Sequence, residues 1–163
     1  MFHHFNNEKH LNGQGAISAD QFENIIQYYK DNLLSANEWF YKAKTKTLDD
    51  KDICLTFDDA LLCQYDIAVP ILEKYNLTAF WFVYSSVLNG GIEKLEVYRK
   101  FRTVYFSDID SFYNKFFSVV EQSEYSDEVE KSLNNYSHDN WKNFPFYSQN
   151  DTKFRFTFLI PKR

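Results

Sequence analysis

Ile53-Cys54-Leu55-Thr56-Phe57-Asp58-Asp59 is the stretch on which the fold turns. Ile53 to Phe57 reads as a short buried strand, apolar except for Thr56, which is itself β-branched. The run then stops on two adjacent carboxylates. In parallel α/β folds the carboxyl end of a strand is where ligands and chemistry gather. Asp58 and Asp59 are therefore the first candidate site residues. Adjacent acids also permit divided labour, one holding a metal and the other moving a proton. The plainer alternative is that one Asp caps the helix that follows while the other is solvated.

Downstream, Tyr65–Tyr75 reads as a helix with Ile67, Val69, Ile71 and Leu72 among its apolar positions. Pro70 must kink it or lie near its first turn, because proline lacks the backbone donor. Asn76 suits a left-handed C-cap. Thr78-Ala79-Phe80-Trp81-Phe82-Val83-Tyr84 is the next strand, rich in aromatic residues. Strand, helix and strand in so short a span make a βαβ unit, and so a right-handed parallel pair. Asn89-Gly90-Gly91 closes this section as a loop.

Upstream, residues 1–5 read as a short strand of aromatic residues and His, followed by a loop over Asn6–Gly15. Ser18 has capping-box spacing to Gln21, and Phe22, Ile25, Ile26 and Tyr29 form one helical face. Asn37–Ala43 is a second helical stretch, and Lys44–Asp52 a polar turn. Beyond Ile92 the most regular period is Ile109, Phe112, Tyr113, Phe116, Phe117 and Val120, with Ser107 as the expected cap. A further helix is expected over Ser126–Leu133, a polar loop to Asp151, and a strand at Phe154–Phe158.

The bounds are those of one α/β domain. At 163 residues with 25% charged side chains, the chain fits the soluble globular class. A net charge of −5 argues against a nucleic-acid partner, which calls for a basic patch. No apolar run reaches the ~20 residues of a membrane span. Met1-Phe2-His3-His4-Phe5 lacks the features of a secretory signal, so cytoplasmic residence is the expectation. Cys54 and Cys63 read as buried free thiols rather than a disulfide framework. The high count of Phe and Tyr fits a carbohydrate platform, but a compositional bias that also favours Asn and Lys is the preferred explanation.

Thr56-Phe57-Asp58-Asp59-Ala60, then Tyr65-x-x-Ala68-x-Pro70-Ile71-Leu72-x-x-Tyr75 and Thr78-Ala79-Phe80-Trp81-Phe82-Val83, closely resembles the first motif and following βα segment of the polysaccharide deacetylase family. This is the NodB-homology, or carbohydrate esterase 4, type. Met1-Phe2-His3-His4 is similar to the first-strand Met-Tyr-His segment of many members. The resemblance covers residues 1–90. It implies an incomplete (β/α) barrel, with residues 91–163 as a helical insertion and tail in a single domain over 1–163. It further implies removal of N-acetyl groups from amino sugars of a polysaccharide with a divalent metal, zinc being expected. By that resemblance Asp58 is the catalytic base, Asp59 a metal ligand, and His3 borders the substrate.

The chain also departs from the family. The expected His-x-x-x-His segment is missing: beyond His10 the only His is His138, and position 142 is Lys. The family's later His, and the Arg and Asp that orient the base, have no match, and Ala60 stands where many members have Gly. The expectation is a truncated form with weak metal binding and negligible hydrolysis by itself. Open strand edges would favour self-association. The alternative is a non-catalytic remnant or carbohydrate-binding fragment in which the Asp pair is structural. A phosphoacceptor role for Asp58 is disfavoured, because later strands lack the matching Lys and Thr/Ser.

Overall fold

Alternation along β1 (Thr56–Asp58) decides what lies inside: Phe57 is fully buried, while Thr56 and Asp58, on the opposite face, are half-buried. The computed structural model describes residues 1–134. His138, the loop expected to run to Asp151 and the strand expected at Phe154–Phe158 lie outside them. β1 pairs in parallel with β2 (Phe80–Phe82), placing Thr56 opposite Phe80, Phe57 opposite Trp81 and Asp58 opposite Phe82. On its other side β1 meets the N-terminal segment through a parallel bridge between Phe2 and Phe57. There Phe2 N–H donates to the Thr56 carbonyl at 2.8 Å, and Asp58 N–H donates to the Phe2 carbonyl at 3.0 Å. The expected strand over residues 1–5 is thus reduced to bridges at Phe2 and, to Ile17, at Phe5. Ile53 bridges Leu33 before β1 begins.

Local chemistry accounts for the helices around this pair. Ser18 and Gln21 form a reciprocal capping box that starts α1 (Ala19–Tyr29). The Ser35 hydroxyl accepts from Glu38 N–H and starts α2 (Ala36–Thr45). The expected Tyr65–Tyr75 helix is two pieces, a π-helical turn at Gln64–Ala68 and then α3 (Val69–Lys74). Pro70 falls in the first turn of α3, where its missing N–H costs nothing. Asn76, at φ 52°, ends α3. Asn76 N–H bonds Glu73 O at 3.0 Å and Leu77 N–H bonds Leu72 O at 2.9 Å, the two bonds of a Schellman cap. After β2 come the short α4 (Ser85–Leu88), a turn with Gly90 at φ 78°, and α5 (Lys94–Tyr105).

These pieces form a mixed α/β fold whose strands among the described residues are one parallel pair. The core joins Phe5, Phe22, Ile26, Leu55, Phe57 and Leu72. Cys63 is buried beside it, and its Sγ accepts the Phe5 N–H at 3.4 Å. Cys54 is half-buried; both thiols are free, and burial pushes both up. No helix among the described residues is long and apolar enough to cross a membrane.

The chain divides into two compact units, Met1–Val104 and Tyr105–Arg163. The described part of the second holds α6 (Ile109–Glu121) and α7 (Ser126–Asn134). The cap of α6 is Asp108 rather than Ser107: Asp108 accepts the Ser111 N–H at 2.8 Å, while the Ser107 hydroxyl donates to Asp108 at 2.7 Å.

Candidate functional site

Period-two alternation sends Asp58 to the face of β1 opposite Phe57, and the first bridge of the sheet brings the N-terminal segment alongside. His3 then stands next to Asp58. Its Nε2 lies 3.5 Å from Asp58 Oδ2, with the two side chains 37% and 25% exposed. Two of the three residues singled out from sequence are therefore brought together. The other oxygen, Asp58 Oδ1, is buried and has no hydrogen-bond partner among the described residues. A buried carboxylate oxygen without a partner is costly and marks a position open to a donor.

Immediately beyond Asp58 the backbone leaves the strand through two left-handed residues, Asp59 at φ 75° and Ala60 at φ 50°. Asp adopts this region at small cost, whereas Ala does so under strain. The Ala60 substitution, a minor departure by sequence, thus falls where the backbone favours glycine. Neither Asp caps the following helical turn, whose first position makes no side-chain cap bond.

A second polar group adjoins the first and was not foreseen from sequence. His4 Nε2 lies 3.4 Å from Glu96 Oε1 on α5, and Arg99 Nη1 donates to the same oxygen at 2.6 Å. Burial lowers the His4 imidazole to about 4; Arg99 and His3 push the same way, against Asp59. Burial also raises the Glu96 carboxyl, with Asp59 and Glu93 adding to the effect and Arg99 opposing it. Asp59 thus lies close enough to act electrostatically on both His4 and Glu96. The Glu96-x-x-Arg99 spacing was the available signal, an i, i+3 pair on one helix face.

His10 is elsewhere, with Nε2 2.7 Å from Asp66 Oδ2. Asp66 also lines an open hollow of 530 Å³ together with Asn7, Glu8 and Lys9. Asp58, Asp59 and His3 do not line it.

A catalytic zinc needs about three protein ligands converging on one point. Among the described residues there is no group of three or more His, Cys, Asp or Glu side chains placed to hold a metal ion. The buried Asp58 Oδ1 offers an acceptor, but His3 turns its Nε2 toward the neighbouring Asp58 oxygen. The described residues do not fit a catalytic metal centre.

Residues 45–105 match the family model for polysaccharide deacetylase. The match includes β1, the Asp pair, the π-helical turn, β2 and α5, and so both Glu96 and Arg99; it does not reach His3. No curated protein matches the chain. No solved structure matches it either.

Proposed function

We propose that this chain is a deacetylase-like protein for acetylated carbohydrate, with Asp58 as its proton-accepting carboxylate. The observation that carries the reading is the approach of His3 to Asp58 at the end of β1, within a chain whose residues 45–105 match the polysaccharide deacetylase family. In this proposal Asp58 takes the proton from a water attacking an acetamide carbonyl. His3 holds the carboxylate in place and borders the sugar. Asp59 is offered as one ligand to a divalent metal, zinc first among those to test. A single carboxylate without a converging set binds such an ion weakly. The incomplete (β/α) barrel, cytoplasmic residence and self-association through open strand edges belong to the same proposal.

The experiment is acetate release from chito-oligosaccharides by the purified chain, with Asp58→Asn beside it. Release that Asp58→Asn abolishes supports the assignment, and release that survives it removes Asp58 from the role. Zinc titration with and without Asp59→Ala checks the ligand assignment, which equal affinities would overturn.

A second reading is carbohydrate binding without hydrolysis. It is favoured by β2, where Trp81 and Phe82 are 38% and 57% exposed and present aromatic surface suited to stacking on a sugar. Chito-oligosaccharide binding followed by tryptophan fluorescence, with no acetate released, would select it. Loss of that binding in Trp81→Ala would place the sugar on β2.

A further inference from the structure

The ladder between the N-terminal segment and β1 has two bonds, Phe2 N–H to Thr56 O and Asp58 N–H to Phe2 O. In a parallel ladder the next rung falls on His4 N–H and the Asp58 carbonyl. At that point the chain turns away through Asp59 and Ala60, both at positive φ. The Asp58 carbonyl instead accepts from a side chain, Gln64 Nε2, at 2.6 Å. The same nitrogen donates to the His3 carbonyl at 2.7 Å. Gln64 Oε1 accepts the Leu61 N–H at 3.3 Å, which ties in the turn after the Asp pair.

Gln64 is fully buried. A buried amide is costly unless it is bonded, and this one has both donors and its oxygen engaged. The two carbonyls it holds belong to the two residues whose side chains approach each other at 3.5 Å. We propose that Gln64 is the positioning residue of this site, its amide completing the sheet where the ladder ends and thereby setting His3 against Asp58. The proposal rests on the reading of Asp58 as the site's carboxylate, but its geometry is independent of whether hydrolysis occurs. The side-chain length also matters. Asn is one methylene shorter and cannot reach both carbonyls from the same backbone position. Glu would set a carboxylate against two carbonyl oxygens. Met fills the volume and donates nothing.

The test compares the full chain with Gln64→Met and with Ile67→Ala, a core variant that removes buried apolar volume without touching these carbonyls. NMR of the His3 imidazole and the Asp58 carboxyl carbon is the first readout. Gln64→Met is expected to move both sets of signals, and Ile67→Ala to leave them in place. Where the wild-type chain releases acetate, Gln64→Met should lower kcat about tenfold or more, with KM changed by less than about twofold. Equal behaviour of the two variants, or unmoved His3 and Asp58 signals in Gln64→Met, would overturn the proposal. A wild-type chain that releases no acetate counts against the deacetylase reading alone, and the NMR comparison still decides the role of Gln64. If Gln64→Met does not fold, couplings across the hydrogen bonds from Gln64 Nε2 to the His3 and Asp58 carbonyl carbons decide it in the wild type. Their absence sinks the idea.

Discussion

The aromatic rings of the first unit and those of α6 are the same residue types held in two different ways. Phe2, Phe5, Phe22 and Phe57 come from distant parts of the chain, and their centroids lie 5.0 to 6.2 Å apart. Three of them are essentially inaccessible to solvent. On α6, Phe112, Tyr113, Phe116 and Phe117 come from adjacent turns of one helix, with centroids 5.5 to 6.4 Å apart. Of these only Tyr113 is buried. The ring spacing is nearly the same in both. What differs is the origin of these contacts: the first set joins the N-terminal segment, α1 and β1, whereas the second joins neighbouring turns of one helix, with Phe106 just before it packed on Phe112.

Removing one ring from each cluster is the strongest way to break that comparison. Phe57→Ala deletes a fully buried ring that also stacks on Trp81 at 4.3 Å, and should cost about 3–5 kcal/mol. Phe116→Ala removes a half-buried ring and should cost about 1–2 kcal/mol. Urea denaturation followed by circular dichroism measures both. Equal losses would mean that the two clusters are built alike.

The next effect concerns the polar edge of the first unit. His4 is lowered from 6.5 to about 4, chiefly by burial and then by Arg99. Between those values the unfolded chain binds a proton that the folded chain refuses. Stability from this group is therefore complete above about pH 6.5, is lost as pH falls toward about 4, and then levels off. With His4 still partly reached by solvent, the whole change is at most about 3 kcal/mol. Glu96, Arg99, Asp59 and His3 are the charged and titratable groups around it. His4→Gln should flatten the stability profile between pH 6.5 and 4, as measured by urea midpoints. An unchanged slope in that variant would remove His4 as its source.

A smaller gain is expected at the turn. Ala60 at φ 50° carries strain that glycine would not, so Ala60→Gly should stabilise the chain by about 1 kcal/mol. Thermal unfolding measures it. A loss of stability would mean that the flexibility glycine adds to the unfolded chain outweighs the strain relieved.

How much of this was legible in the sequence depended on whether the controlling interaction was local. The Ser18 capping box, the left-handed Asn76 and the parallel pairing of the two strands were all readable, because each is written within a few residues or in a period. The resemblance carried by Thr56–Val83 was readable too, and the family match at 45–105 includes it. Three features were not. The π-helical turn at Gln64 hides inside a helical pattern, since one inserted residue barely disturbs the spacing of Ile67, Ile71 and Leu72. α5 went unread although Val97, Phe101 and Val104 recur at helical spacing; none of its residues is buried in the structure. The His4–Glu96–Arg99 group joins residues that are distant in sequence. Asp58 could be chosen from its place at a strand end and His3 from the family resemblance, but their approach to 3.5 Å followed only from the bridge at Phe2.

The smallest expected effect tests the local side of the comparison, at the start of α6. Asp108 accepts from Ser111 N–H at 2.8 Å, from the Ser107 hydroxyl at 2.7 Å and from the Ser111 hydroxyl at 2.8 Å. These bonds, the Ser111 N–H first, hold its carboxyl down from 3.8 to about 2. A carboxyl depressed on folding stabilises the folded state above its unfolded value, and that support fades as pH falls through its folded value. The cap should therefore hold at neutral pH and weaken between about pH 4 and pH 2. Asp108→Asn keeps an oxygen for Ser111 N–H but has no proton to gain. The difference in helical circular dichroism between wild type and Asp108→Asn should accordingly appear only in that acid window, whereas Asp108→Ala should lose helix at neutral pH as well. A loss of helix in Asp108→Asn at neutral pH would mean that the charge at this position, and not an acceptor oxygen alone, holds the start of α6.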